Sequence, residues 1–153
     1  MKKVILIPML FCLFMLNVAS MCSSDDDSSS AQDPTPVINA ATQGTWRVTS
    51  YIDSGTDETN HFTGYNFTFA SGGVLTATNG TNTYQGTWSV TSDNSNDDSP
   101  SNDLDFNISF ITPANFADLT DDWDIVTYSA NTISLIDISG GNGGTDILVF
   151  TKN

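Results

Sequence analysis

The sequence predicts an all-β fold: an eight-stranded antiparallel up-and-down barrel with one short helix, after a signal peptide and a disordered tether. Three observations carry that prediction. From Ala41 onward, apolar and polar residues alternate at period two over eight short runs. Turn-length links separate most of the runs, so consecutive strands should pair as hairpins. Each run has one apolar face, and a meander of such strands closes on itself because closure removes exposed edges. A two-sheet sandwich is the alternative arrangement of the same strands.

The chain opens on Met1-Lys2-Lys3, a basic segment, followed by an apolar run from Val4 to Leu16. That run is too short to cross a hydrocarbon core of roughly 30 Å as a helix, and Pro8 lies inside it. Residues 1–21 therefore read as a signal peptide. Val18-Ala19-Ser20-Met21-Cys22 sets small residues ahead of a cysteine and resembles a lipobox, where cleavage exposes a cysteine for acylation. Met21 departs from the Gly, Ala or Ser usual at that position, and a cut after Ser20 by the ordinary signal peptidase is the competing reading. Cys22-Ser23-Ser24-Asp25-Asp26-Asp27 is similar to the acidic export tag of surface lipoproteins in some Gram-negative bacteria. The resemblance implies acylation of Cys22, palmitate included, and a cysteine bearing more than two chains anchors stably. It also implies a lipid-anchored, surface-exposed place in the outer membrane. Residues 22–40 are rich in Ser, Asp, Pro and Thr, with almost nothing apolar before Val37. Such a segment cannot offset its ordering entropy and is expected to be a tether, with the barrel domain running from Ala41 to Asn153.

Within the domain, Trp46, Val48, Ser50 and Ile52 alternate with Arg47, Thr49 and Tyr51. Tyr65, Phe67 and Phe69 form the second run. Val74 to Thr78 and Thr83 to Val90 flank Asn79-Gly80, a dipeptide suited to a type I′ turn because both central residues need φ > 0. Leu104, Phe106, Ile108 and Phe110 give the clearest alternation. Trp123 to Tyr128, Thr132 to Ile138 and Asp146 to Lys152 complete eight strands, the last two joined by the glycine-rich loop Gly140 to Gly144. Between the fifth and sixth, Thr112-Pro113-Ala114-Asn115-Phe116-Ala117-Asp118-Leu119 carries a capping hydroxyl, a proline suited to the first helical position, and apolar Phe116 and Leu119. One or two helical turns are expected there. Gln43-Gly44-Thr45-Trp46 recurs as Gln85-Gly86-Thr87-Trp88 with unlike flanks. A glycine two before an inward Trp leaves a backbone thin enough for the bulky ring to pack across it, so one packing solution is used twice.

Gly44-Thr45-Trp46 resembles the Gly-x-Trp signature of lipocalins. With Gly86-Thr87-Trp88, Leu119 to Trp123 and the terminal Gly143 to Phe150 strand, the chain from Gly44 to Asn153 is similar to the small lipocalin-like domains of bacterial lipoproteins. The resemblance implies a lipocalin-like barrel whose first Trp closes one end beneath a cation, a role open to Lys152 or Arg47. The chain is shorter than a typical lipocalin.

Composition narrows the function. Four Lys/Arg face 18 Asp/Glu, a net charge of −14. Removing Lys2 and Lys3 with the signal peptide leaves Arg47 and Lys152 against the same 18 acids, a net of −16. Phosphate backbones need clustered cations, so no nucleic-acid partner is expected. The two cysteines are Cys12, inside the signal peptide, and Cys22, so the barrel has no disulfide and no thiolate metal cluster. Asp93 to Asp98 resembles a Ca²⁺ loop but has Asp98 and Leu104 where an EF-hand needs glycine and glutamate. Gly140 to Asp146 approximates a Ca²⁺ nonapeptide that works only in arrays, and one copy is present. No metal site and no cofactor are expected. His61 is the lone histidine, no Gly-x-Ser-x-Gly turn occurs, and Asp121 and Asp122 are expected to be solvated alike. The protein is therefore expected not to be an enzyme.

The inward set is Trp46, Val48, Tyr65, Phe67, Phe69, Trp88, Leu104, Phe106, Ile108 and Phe110. Such a lining suits a small apolar or amphipathic ligand at the barrel's open end, and all of these except Leu104 are the candidate ligand-binding residues. It suits equally a barrel filled by its own side chains, which would make the protein a non-catalytic surface interaction or structural module with no small-molecule ligand. In both readings it is expected to be a monomer held to the membrane by lipid on Cys22.

Overall fold

The computed structural model describes residues 32–92, 104–139 and 144–153. All eight expected strands form: β1 (Trp46–Asp53), β3 (Asn66–Phe69), β4 (Val74–Thr78), β5 (Thr83–Ser92), β6 (Leu104–Ser109), β7 (Asp121–Tyr128), β8 (Thr132–Ile138) and β9 (Thr145–Lys152). A two-residue strand, β2 (Thr56–Asp57), is added beside β1, and a 3-10 helix (Thr59–Phe62) follows it. From β3 to β9 each strand pairs antiparallel with the next, and β9 then pairs along β1 from Trp46↔Lys152 to Ile52↔Ile147. The sheet is a closed, all-antiparallel eight-stranded barrel, the fold the lipocalin resemblance implies. Its weak seam is β1–β3, which meet only at Trp46↔Phe67. Above that point β1 is flanked by β2 and the 3-10 helix, whose Thr59 Oγ1 accepts from Tyr51 N at 2.8 Å.

Register departs from plain alternation at two bulges. Val48 faces Phe150 and Ser50 faces Val149, so Thr49 is an extra residue on β1. The bulge reverses the faces beyond it. Tyr51 turns into the core, 1% exposed, while Ser50 and Ile52, which alternate in phase with Trp46 and Val48, lie outside it. On β7 the same shift falls between Ile125 and Thr127 and leaves Val126 exposed.

Asn79-Gly80 does not make a type I′ turn, because Gly80 has positive φ and Asn79 does not. Thr78 pairs with Thr83, and the loop is the four residues between them. Asn79 closes it by accepting from Thr81 N and Asn82 N through its side-chain oxygen.

The helix expected between the fifth and sixth strands is α2 (Ala114–Ala117). Thr112 does not cap it; Pro113 occupies the N-cap position, and its carbonyl accepts from Phe116 N and Ala117 N. Thr120 stitches the base of this excursion, its hydroxyl accepting from Phe110 N at 2.9 Å and donating to Phe110 O at 3.0 Å.

The boundary expected at Ala40/Ala41 moves. A further helix, α1 (Thr35–Ala41), starts after Pro34 and sets Val37 and Ala41, four apart on one face, fully into the core. Ala41 O accepts from Trp46 Nε1 at 2.8 Å, so the last turn of α1 is tied to the first residue of β1. The folded body therefore begins within the segment read as tether. The signal peptide, Cys22 and tether residues 22–31 lie outside the described residues, as do Asp93–Asp98 and Gly140–Gly143.

Candidate functional site: the barrel interior and its two ends

The candidate lining residues are brought together and pack on one another. Trp46, Val48, Phe67, Phe69, Trp88, Phe106, Ile108 and Phe110 are all buried, and Tyr65 is half-buried. Phe69 meets Trp88, Phe106 and Phe150 edge to face at 5.2–5.4 Å between ring centroids. Trp88 stacks on Phe106 at 5.6 Å. These are ordinary aromatic packing distances, which leave no room for a guest between the rings. The three indole N–H groups are satisfied by main-chain carbonyls, Trp46 at Ala41, Trp88 at Ala70 and Trp123 at Leu119. No polar or charged side chain is buried among the described residues.

One end is closed by α1 and Trp46. Lys152 Nζ lies 5.4 Å from the centre of the Trp46 ring, so the closing cation is Lys152. Arg47 points elsewhere, Nη1 donating to Asn153 Oδ1 at 3.5 Å. Gly44, at φ +102°, leaves room for the lysine stem: a Cβ there would sit 2.9 Å from Lys152 Cε. The echoed Gly86 serves a different neighbour, because its added Cβ would meet Phe110 Cδ1 at 2.9 Å and, closer still, the Ser109 carbonyl.

The opposite end is plugged by Phe116 of α2. Its ring lies 4.9–6.0 Å from those of Tyr84, Tyr65, Phe62, Phe110 and Phe67. Tyr51 reaches the same end, donating from its hydroxyl to Asp118 O at 2.8 Å. Burial raises the Tyr51 phenol above its ordinary range, helped by the carboxylates of Asp53, Asp118, Asp146 and Glu58. Carboxylates thus rim this end. Asp146 accepts from Ser54 N at 2.7 Å, and Asp137 from Ser139 Oγ at 2.9 Å.

Asp121 and Asp122 are not solvated alike. Asp121 is pushed up to about 6, first by burial and next by a hydrogen bond with the Asp122 carboxyl, with Asp137 adding repulsion. Asp121 holds its proton in the fold over a range where the unfolded chain has released it. Stability should therefore fall as pH rises from about 4 to about 6 through this group. Asp121→Asn is expected to flatten that decline, measured as thermal midpoints at pH 4 and pH 7. An unchanged slope would place Asp121 in open solvent.

Two grooves mark the outside. One, about 510 Å³, crosses β5–β6–β7 and is lined by Thr87, Ser89, Asn107, Ser109, Thr120 and Asp122 among others. The other, about 320 Å³, lies at the α1 end between Val37 and Val126 and Tyr128. His61 is exposed, its Nδ1 3.5 Å from Glu58 Oε2. Among the described residues no cluster of His, Cys, Asp or Glu is arranged to hold a metal ion, and no helix is long and apolar enough to cross a membrane.

Sequence reasoning missed Tyr51, Phe62, Trp123, Leu135, Leu148 and Phe150 as parts of the interior. For the last four the signal was present, since each sits in a run already read as a strand. No protein-family profile matches the chain, and no curated protein matches it. Among solved structures the chain is similar to a DUF4847 family protein from Bacteroides vulgatus ATCC 8482, at 18% identity and a TM-score of 0.47, over 76% of this chain and 97% of that one.

Proposed function

We propose that this protein is a non-catalytic cell-envelope lipoprotein whose filled barrel is a rigid body for presenting surface to a macromolecular partner. One observation carries the reading: the residues expected to line a ligand cavity pack on one another, with Phe116 seated among five rings at the end a ligand would enter. A core packed in this way supports rigidity and offers no site until side chains are displaced. Because α1 enters at the Trp46 end, a chain anchored through Cys22 would hold the Phe116 end away from the membrane.

Titration of the chain from Cys22 onward, carrying Cys22→Ser, with an environment-sensitive apolar fluorophore tests the reading. No saturable binding and no quenching of Trp46, Trp88 or Trp123 are expected. One-to-one binding displaced by fatty acids would make the protein a ligand carrier instead. The anchor has its own test. In cells fed a palmitate analogue, Cys22→Ser should abolish labelling and shift the protein from the membrane to the soluble fraction. Retained label would place the acyl chain elsewhere.

A further inference from the structure

The outside of a closed barrel of an acidic protein is expected to be polar, and on one face it is not. Beyond the Thr49 bulge, Ile52 of β1 turns outward and pairs with Ile147 of β9, which pairs with Ile136 of β8. Three isoleucines therefore stand side by side across three strands. Ile138 lies two residues further along β8, and Val149 two residues along β9, on the same face. None of the five packs against the core, Ile138 is 63% exposed and Ile147 36%. Single exposed apolar side chains are ordinary, but a contiguous row is a recognition surface or a liability.

The row ends in carboxylates. Ile52 pairs with Asp57 on one side, and Ile136 pairs with Asp124 on the other, which pairs in turn with Asp105. At about 4.8 Å per strand, Asp57 and Asp124 are separated by roughly 19 Å measured around the curved sheet, with the isoleucines between them. Just above sit Asp53, Asp137 and Asp146 of the rim. The two cations of the described residues, Arg47 and Lys152, are both at the far end of the barrel, at the Trp46 end of β1 and β9.

We infer that the outer face of β1–β9–β8 docks a polypeptide surface in which exposed aliphatic side chains are flanked by lysines or arginines. Charge selects this occupant. A second copy of the chain would bring carboxylates against carboxylates, and anionic lipid headgroups would be repelled in the same way. The partner binds through side chains, because β8, β9 and β1 already spend their main-chain groups on each other and offer no edge for an added strand. The inference rests on the proposed display role, and it places the docking surface on the half of the barrel away from α1.

The probe is a short peptide of alternating lysine and isoleucine, compared with alternating lysine and serine and alternating glutamate and isoleucine. Each is titrated into the isotope-labelled chain from Cys22 onward carrying Cys22→Ser. The lysine–isoleucine peptide should bind saturably and perturb amides of β8, β9 and the end of β1. The double variant Ile138→Ser/Ile147→Ser should weaken it about tenfold or more while keeping the wild-type amide pattern elsewhere. Equal binding of the lysine–serine peptide, perturbations spread over the whole acidic surface, or an unaffected double variant would overturn the inference. So would concentration-dependent dimers in sedimentation that the double variant abolishes, since a second copy would then cover the face. Uptake of an apolar fluorophore into the interior would defeat the filled-barrel reading while leaving these outcomes readable.

Discussion

Phe116→Ala should be the most damaging single truncation in the molecule, lowering stability by about 3–5 kcal/mol in urea unfolding. The ring is 1% exposed and is the meeting point of Phe62, Tyr65, Phe67, Tyr84 and Phe110, which arrive from the 3-10 helix, the start of β3, β5 and the end of β6. Nothing nearby is placed to collapse into the vacated volume. Thr120 pins both ends of the α2 excursion to Phe110, and the strands carrying the other rings are fixed in their ladders. The cavity term therefore adds to the lost transfer energy. Against the 5–15 kcal/mol typical of a whole domain, this loss brings the variant near its folding limit. The same substitution should create what the wild type lacks, an apolar void at one end of the barrel. An apolar fluorophore that ignores the wild type should gain saturable binding to Phe116→Ala and raise its thermal midpoint by mass action. A loss below about 1 kcal/mol, with no gain of binding, would mean that α2 does not seal the barrel.

Phe116 also shows how far the sequence could be read. Its short helix was visible from Pro113 and the Phe116/Leu119 spacing, but nothing local says that the helix turns its ring into the barrel mouth. The eight strands were legible because a half-buried strand must alternate, and β3 and β6 do so without interruption. Tyr51 was misread with Ser50 and Ile52 because one inserted residue, Thr49, reverses every face after it, and a bulge leaves no mark on composition. The same reversal hides the isoleucine row, since Ile52 alternates in phase with Trp46 and Val48 in the sequence yet stands on the other face in the fold. In α1, Val37 and Ala41 were too few apolar residues to outweigh a Ser- and Asp-rich surround, yet they suffice when Trp46 supplies a donor for the last turn. Lys152 over Trp46 was foreseen as one of two options through the lipocalin resemblance, and the antiparallel β1–β9 closure decides between them. Asp121 could not be separated from Asp122 by sequence, because their difference depends on burial and on where Asp137 lies.

Gly86→Ala should destabilise the barrel at the upper end of the overpacking range, about 3 kcal/mol or more, for the smallest side-chain addition possible. Gly86 lies on β5 opposite Leu75 and two residues before Trp88, so its missing side chain would point inward. Its backbone does not have positive φ, and alanine is not strained there by conformation. The penalty is steric. The added Cβ would run into the main-chain carbonyl of Ser109 and the Phe110 ring, whose Cδ1 and Cγ would lie at 2.9 and 3.0 Å. A flexible side chain could swing away, but Ser109 is held in the β5–β6 ladder opposite Thr87, and Phe110 is packed edge to face on Phe116 at 5.4 Å. Relief would require opening the ladder or moving the plug. Gly72→Ala is the control, since its Cβ meets nothing within 4 Å and its φ is not positive. It should leave stability unchanged or raise it by about 0.4–1 kcal/mol through the unfolded chain. Amide exchange on β5 and β6 should quicken in Gly86→Ala and stay as in the wild type in Gly72→Ala. Equal midpoints for the two variants would show that Phe110 and β6 yield freely, and with them the end of the barrel that Phe116 fills.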